Sequence, residues 1–194
     1  MKREALIAYL LEDAPFQMDP HEMDDLLSAV TFAASYMLDR DVTCDEAKEI
    51  YAVFDAETTL SVCSFLLMGL VRRASHIHLR AQEKEKCITV WITGRLREGK
   101  TPVGSLSDLL PEKGDYLAVV KHFMRENKMR FRVVKSEGVT LCLNIPRFFA
   151  SSFVPASLKK KDACCALYVA MMAVAGKERP DFSVLQFDKA FCLD

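Results

Sequence analysis

Apolar residues recur every three to four positions in several stretches of the chain, which is the pattern of helices that bury one face. This spacing predicts helices over residues 4–12, 20–39, 55–74, 116–127 and 161–175. Asp19 is expected to cap the second helix, with Pro20 as its first residue. Thr43 and Glu46 have the spacing of a capping box for a short helix or turn.

Apolar and polar residues alternate in other stretches, and this pattern predicts strands. Two hairpins are expected, over residues 77–93 and 131–145, and single strands at 50–54 and 182–187. Strands and helices in this order predict an α/β fold, an α+β two-layer sandwich in which helices cover one face of a mixed sheet.

The pattern divides the chain into three parts. Residues 1–48 form a helical N-terminal segment, 49–150 the sandwich, and 151–194 a helix-strand extension packed on the same domain. Within the sandwich, Gly and Pro residues make 95–113 a loop with one short helical turn at 105–110.

Composition narrows the functional classes. Hydrophobic residues make up 51% of the chain and the net charge is −1, so a full core is expected and no nucleic-acid partner. The apolar run near the N-terminus ends at Glu12 and Asp13, too short for an export signal, and no stretch is long enough to cross a membrane. We therefore expect a cytoplasmic protein. Its 7 irregularly spaced cysteines contain no Cys-x-x-Cys and predict buried thiols rather than a metal site.

Three segments resemble the ATPase domain shared by histidine kinases, gyrase-type topoisomerases, ninety-kilodalton heat-shock chaperones and mismatch-repair proteins. Residues 117–121 (Leu-Ala-Val-Val-Lys) are similar to the helix that follows the family's second glycine box. Residues 136–146 resemble its closing hairpin, and 70–74 its first-helix motif. The resemblance covers about half of the chain and implies the family's α/β sandwich.

The resemblance also implies a nucleotide pocket whose ligands are lost. Arg73 stands where the family's asparagine ligates Mg²⁺, and a guanidinium has only hydrogen-bond donors. Gly94 stands where an aspartate accepts a hydrogen bond from adenine. The other positions of this vestigial pocket are Gly69, Thr93, Gly114, Tyr116 and Thr140.

Four arginines fall near this pocket if the resemblance holds. Arg72, Arg95 and Arg97, together with Arg73, are candidates for an anion site, against a solvated basic surface as the alternative. His76 and His78 alternate on a predicted strand, but no third metal ligand is evident.

The sequence therefore predicts a non-catalytic regulatory or protein-interaction protein of bacterial two-component signalling. It is expected to bind neither ATP nor Mg²⁺ and to act on a signalling protein, with a homodimer as an open option. A divergent ATP-binding sensor kinase or anti-sigma-type regulator is the alternative, which requires an adenine acceptor near Thr93 and Gly94. A third hypothesis is phosphotransfer through His21 at the start of the second helix, against a surface histidine without a role.

Overall fold

The computed structural model describes residues 16–38, 40–111, 115–135, 138–150 and 152–175. The helices are α1 (Met23–Leu38), α2 (Ala56–Val71), α3 (Tyr116–Glu126) and α4 (Lys160–Ala175). The strands are β1 (Met18–Glu22), β2 (Val42–Cys44), β3 (Tyr51–Asp55), β4 (Ala74–Glu83), β5 (Cys87–Leu96), β6 (Arg130–Lys135) and β7 (Val139–Pro146). The predicted helix 4–12 and strand 182–187 lie outside the described residues.

Five strands form one mixed sheet in the order β2-β4-β5-β7-β6. Strand β2 is parallel to β4, and the other neighbours are antiparallel. Strands β1 and β3 pair antiparallel as a separate two-stranded sheet. Both predicted hairpins are confirmed, as is the α+β architecture with its mixed sheet.

The N-terminal elements differ from the prediction. Asp19 and Pro20 lie in β1, opposite Phe54 and Val53, so helix α1 begins at Met23 instead. Thr43 lies in β2 and pairs in parallel register with His78, so it caps no helix. Pairing with distant strands overrides the local capping signals in both places, and Pro20 is tolerated because β1 has a partner on one side only.

Helix α2 lies at the centre of the domain. Asp55 caps it, accepting a hydrogen bond from the amide of Thr58 at 3.0 Å. Almost every residue from Thr59 to Val71 is buried, since the helix packs against β4 and against the other three helices. Buried small residues such as Ser61 and Ser64 allow that close approach. Burial on all sides makes α2 a rigid support for whatever lies at its ends.

A buried amide fastens α3 to α2. The Asn127 side chain is 0% exposed; its Oδ1 accepts from the amide of Asp55 at 2.7 Å, and its Nδ2 donates to Thr58 Oγ1 at 2.8 Å. The same Nδ2 donates to the carbonyl of Phe123 at 2.9 Å. Both polar ends of Asn127 are thus paired, as a buried amide requires.

The C-terminal extension packs on the helices. Helix α4 lies against α1 and α2 through buried small residues that include Ala163, Cys164 and Ala170. Burial raises the pKa of the Cys164 thiol to about 11, and that of Cys63 on α2 to about 12, so both serve as small apolar side chains. None of the described helices has the length and apolarity of a membrane span.

Candidate functional site

The loop that follows β5 folds back onto the C-terminal half of α2. A Cβ placed on Gly69 would lie 2.3 Å from the carbonyl oxygen of Leu109 and 2.7 Å from its Cα, so the loop backbone touches the helix there. Leu109 lies in the 3-10 turn Leu106–Leu109, which confirms the predicted short helical turn, and it is 1% exposed. Gly69 is therefore required for the loop to dock.

Arg73 holds the same loop from the end of α2. Its Nη1 donates to Thr101 Oγ1 at 2.9 Å and to the Thr101 carbonyl at 3.3 Å. Its Nη2 donates to the carbonyl of Asp108 at 2.8 Å. The planar guanidinium thus bridges the two sides of the loop, a fork that a lysine could not reproduce.

The Asp108 carboxylate closes the 3-10 turn from within. Its Oδ2 accepts from the amide of Gly104 at 2.8 Å and from the amide of Ser105 at 2.9 Å. These two amides, with smaller help from the Ser105 hydroxyl and Arg73, hold the pKa of Asp108 below its usual value. Ser105 and Asp108 form a capping box, and the Ser-x-x-Asp spacing that signals it is visible in the sequence.

Gly94 sits on the helix-facing side of β5, where no room exists for a side chain. A Cβ added to Gly94 would lie 2.8 Å from the Ala74 Cβ. A Cβ added to Gly138 would lie 2.6 Å from the carbonyl oxygen of Gly94, so the backbone of Gly138 also lies close to this position. The position that the resemblance assigns to the adenine acceptor is thus packed by β4 and by the residue before β7.

The remaining pocket positions are dispersed. The Tyr116 ring is 2% exposed and packs on Phe65 of α2 with ring centroids 5.7 Å apart, so it belongs to the core. Thr93 and Thr140 are cross-strand partners that alternate with buried Gly94 and Val139, so they face away from the helices. Gly114 lies outside the described residues.

The four arginines have different surroundings. The amide of Arg97 donates to the Arg73 carbonyl at 2.9 Å, which brings these two backbones together. The guanidinium of Arg73 is engaged by the loop, and Arg95 is exposed on the same outer face of the sheet as Thr93. Arg72 is the exposed C-cap residue of α2. An anion site of Arg72, Arg95 and Arg97 stays a prediction.

These positions do not fit a Mg²⁺-nucleotide. Mg²⁺ requires oxygen ligands, and the described side chain at the family's ligand position is the donor-only guanidinium of Arg73. Gly94 offers no side-chain acceptor for adenine, and Leu109 occupies the space beside Gly69. Both the ligand chemistry and the packing oppose the cofactor.

His21 lies in β1, is 2% exposed and stacks on Phe54 with centroids 4.5 Å apart. Its Nδ1 donates to the carbonyl of Ala156 at 2.8 Å, while Nε2 is buried with no partner among the described residues. The expectation of a surface histidine at a helix start is therefore wrong, and a phosphate donor has no open path to either nitrogen. His21 instead ties β1 to the connection before α4.

Each of the two strand histidines lies beside an aspartate. A bulge between Ser75 and His78 interrupts β4, and His76 has a φ of 50°. His76 Nδ1 lies 2.9 Å from Asp41, and His78 Nε2 lies 3.1 Å from Asp45. Over the residues that the structure describes, no three His, Cys, Asp or Glu side chains come together as metal ligands.

Sequence reasoning singled out Gly69 and Arg73 but missed their function in holding the loop. It also missed Asn127 and Leu109. The capping spacing of Ser105 and Asp108 was the one local signal available for the loop; the docking of Leu109 on Gly69 has none, because the two residues are far apart in sequence.

The fold is similar to that of ATP-binding domains of histidine kinases. The catalytic domain of histidine kinase ThkA superposes with a TM-score of 0.53 at 12% identity, covering 68% of this chain and 96% of that chain. The ATP binding domain of PrrB from Mycobacterium tuberculosis gives 0.52 at 20% identity, covering 68% and 98%. ThkA in complex with the response regulator protein TrrA gives 0.54 at 12% identity, covering 75% of this chain and 47% of that chain.

Sequence comparison adds no closer relative. No protein-family model matches the chain, and no curated protein matches it. The structural likeness covers 68% of the chain, more than the half on which the sequence resemblance was based. The chain has the histidine-kinase-like ATPase fold.

Proposed function

We propose that this chain is a cytoplasmic regulatory or interaction protein of bacterial two-component signalling, built on the histidine kinase ATPase fold and without kinase or ATPase activity. The observation that carries the proposal is the docked loop. Leu109 lies against Gly69, and Arg73 donates to both sides of the loop. The sequence resemblance assigns both Gly69 and Arg73 to the family's nucleotide pocket.

Two features, one steric and one electrostatic, support the loss of nucleotide binding rather than a rearranged site. A side chain on Gly94 would collide with Ala74, so an acceptor for adenine cannot be regained there by a single substitution. The guanidinium of Arg73 would also place a positive charge where Mg²⁺ would sit. Steric and electrostatic terms therefore both oppose the binding of Mg²⁺ and nucleotide.

A signalling protein as partner is supported by the likeness to ThkA, which has been solved in complex with the response regulator protein TrrA. Fold likeness alone does not transfer an activity. The partner is therefore part of the proposal.

Thermal unfolding with and without millimolar Mg-ATP or Mg-ADP tests the proposal. A ligand at about 100 times its Kd stabilises a fold by about 2.7 kcal/mol, which would raise the Tm of a protein of this size by roughly 5–10 °C. We expect no shift. A Mg²⁺-dependent rise would contradict the proposal and favour a divergent ATP-binding regulator. A nucleotide-binding histidine kinase domain serves as the positive control.

One variant separates the effect of the docked loop from the effect of the missing adenine acceptor. Arg73→Asn restores the family's amide at the Mg²⁺ position and releases the loop, but leaves Gly94 without an acceptor. We expect this variant to remain insensitive to Mg-ATP. If it gained a Mg²⁺-dependent shift, the loop clamp alone would account for exclusion, and the proposal of a lost site would be replaced by one of a latent site.

A further inference from the structure

A groove of about 560 Å³ lies beside the docked loop, between α3 and β6. Its floor is apolar and consists of Leu106, Met124, Met129 and Phe131. Met124 and Met129 are 7% and 6% exposed, so each presents a small part of its side chain to the groove. Methionine side chains adapt their shape to a partner, which suits a groove that receives another chain.

The rim of the groove is basic. It carries Lys121, Arg125, Lys128 and Arg130. Of these four cations, only Arg125 has a carboxylate within ion-pair distance among the described residues, that of Glu126 at 3.2 Å. The other three cations have no acidic partner there, although the whole chain carries a net charge of −1. The groove is thus a local concentration of positive charge around an apolar floor.

We propose that this groove, which we call the α3–β6 groove, binds an acidic amphipathic segment of a partner protein. Apolar side chains on one face of the segment would cover the floor, and its carboxylates would pair with Lys121, Lys128 and Arg130. The inference rests on the proposed non-catalytic function and identifies the surface and the charge of the partner. Charge complementarity selects this occupant over a second copy of the chain, whose own groove is basic.

The groove depends on the docked loop. Leu106, which is part of the apolar floor, is the first residue of the 3-10 turn held by Asp108 and by the Arg73 guanidinium. Release of the loop would remove this part of the floor. The same docked loop thus contributes to the groove and contacts Gly69 and Arg73, which the sequence resemblance assigns to the nucleotide pocket.

Fluorescence anisotropy of a labelled synthetic peptide tests the proposal. The peptide has leucines at i, i+3, i+4 and i+7 of a helical repeat and glutamates elsewhere. Two control peptides replace its glutamates by lysines or its leucines by serines. We expect saturable binding of the first peptide alone. Two charge-reversed variants are compared: Lys121→Glu with Lys128→Glu in the groove, and Lys86→Glu with Lys159→Glu at exposed positions elsewhere.

The groove variant should bind the peptide about ten-fold more weakly, and the control variant should bind it like the parent chain. No binding, or equal weakening in both variants, would overturn the proposal. So would preferential binding of a single-stranded RNA oligonucleotide, or self-association that the groove variant abolishes in sedimentation. Thermal unfolding of the same samples with Mg-ATP keeps the two proposals separate, because a peptide failure without an ATP shift leaves the non-catalytic function intact.

Discussion

Substitution of Gly69 by alanine tests whether the loop is held against α2 as described. The added methyl group would lie 2.3 Å from the Leu109 carbonyl oxygen and 2.6 Å from the Leu109 Cβ. Two of the three nearest atoms belong to the loop backbone, so a change of side-chain rotamer cannot relieve the collision. The loop must move away from the helix.

The expected cost follows from two opposing terms. Overpacking a well-packed contact costs about 1–3 kcal/mol, and a backbone collision belongs at the upper end of that range. The higher helix propensity of alanine returns about 1 kcal/mol against global unfolding, but it does not oppose loop release, because α2 stays helical when the loop opens. A collision cost of at least about 2 kcal/mol should appear mainly as loop release, which corresponds to a rise of roughly 30-fold or more in the open population.

Limited trypsin digestion measures that population, because Lys100 is exposed and lies in the loop. Cleavage after Lys100, followed by mass spectrometry, should accelerate by roughly 30-fold in Gly69→Ala when loop closing is fast relative to cleavage. Gly104→Ala is the matched control. The same substitution in the same loop meets only Asp108 Oδ2, at 3.4 Å, and should leave the cleavage rate nearly unchanged.

The reasoning would be refuted by a Gly69→Ala chain that is cleaved at the parent rate. A variant more stable than the parent would point the same way, since helix propensity would then be the only effect of the substitution. Equal acceleration in Gly104→Ala would show that the loop responds to any substitution and not to the contact with α2.

Further expectations concern the neighbouring contacts. Arg73→Met removes the hydrogen bonds to both sides of the loop and should also accelerate tryptic cleavage. Cleavage at the parent rate would show that these bonds do not hold the loop in place. Asn127→Ala leaves buried polar groups unpaired and should cost about 1–3 kcal/mol in denaturant unfolding. Because the pKa of Asp108 is lowered in the folded chain, its stabilisation is complete above its unfolded pKa and is lost as pH falls through the folded value. Cleavage of the loop by pepsin should therefore rise below about pH 4, and Asp108→Asn should remove that dependence. Gly94→Asp should lower the Tm sharply without any response to Mg-ATP; a stable variant that binds Mg-ATP would contradict the packing at Ala74.

The sequence predicted the helices and hairpins whose residue patterns lie within the element itself. Helices α2, α3 and α4 follow the helical period, and both hairpins follow strand alternation around polar turns. Strands β1 and β2 were missed because each is defined by a partner far along the chain. Asp19 and Pro20 have the local chemistry of a helix start, but pairing with β3 places them in a strand.

The residues at the candidate site could be predicted from the sequence, but their contacts could not. Arg73 and Gly94 could be identified from a resemblance in short motifs, and so could the absence of acidic ligands. The bonds from Arg73 to Thr101 and Asp108 could not, because they depend on where an irregular loop comes to rest. The burial of His21 likewise depends on the Ala156 carbonyl, 135 residues away in sequence.

The packing of α4 on α1 and α2 has a consequence for synthesis on the ribosome. Helix α2 is complete at Val71, yet the helix that covers one of its sides ends at Ala175. At translation rates of about 5–20 residues per second, the side of α2 that α4 covers stays open for roughly 5–20 s. The sheet and α3 can assemble during that interval, but the core closes only when α4 emerges. A nascent chain of this protein should therefore be a chaperone client until α4 has been made.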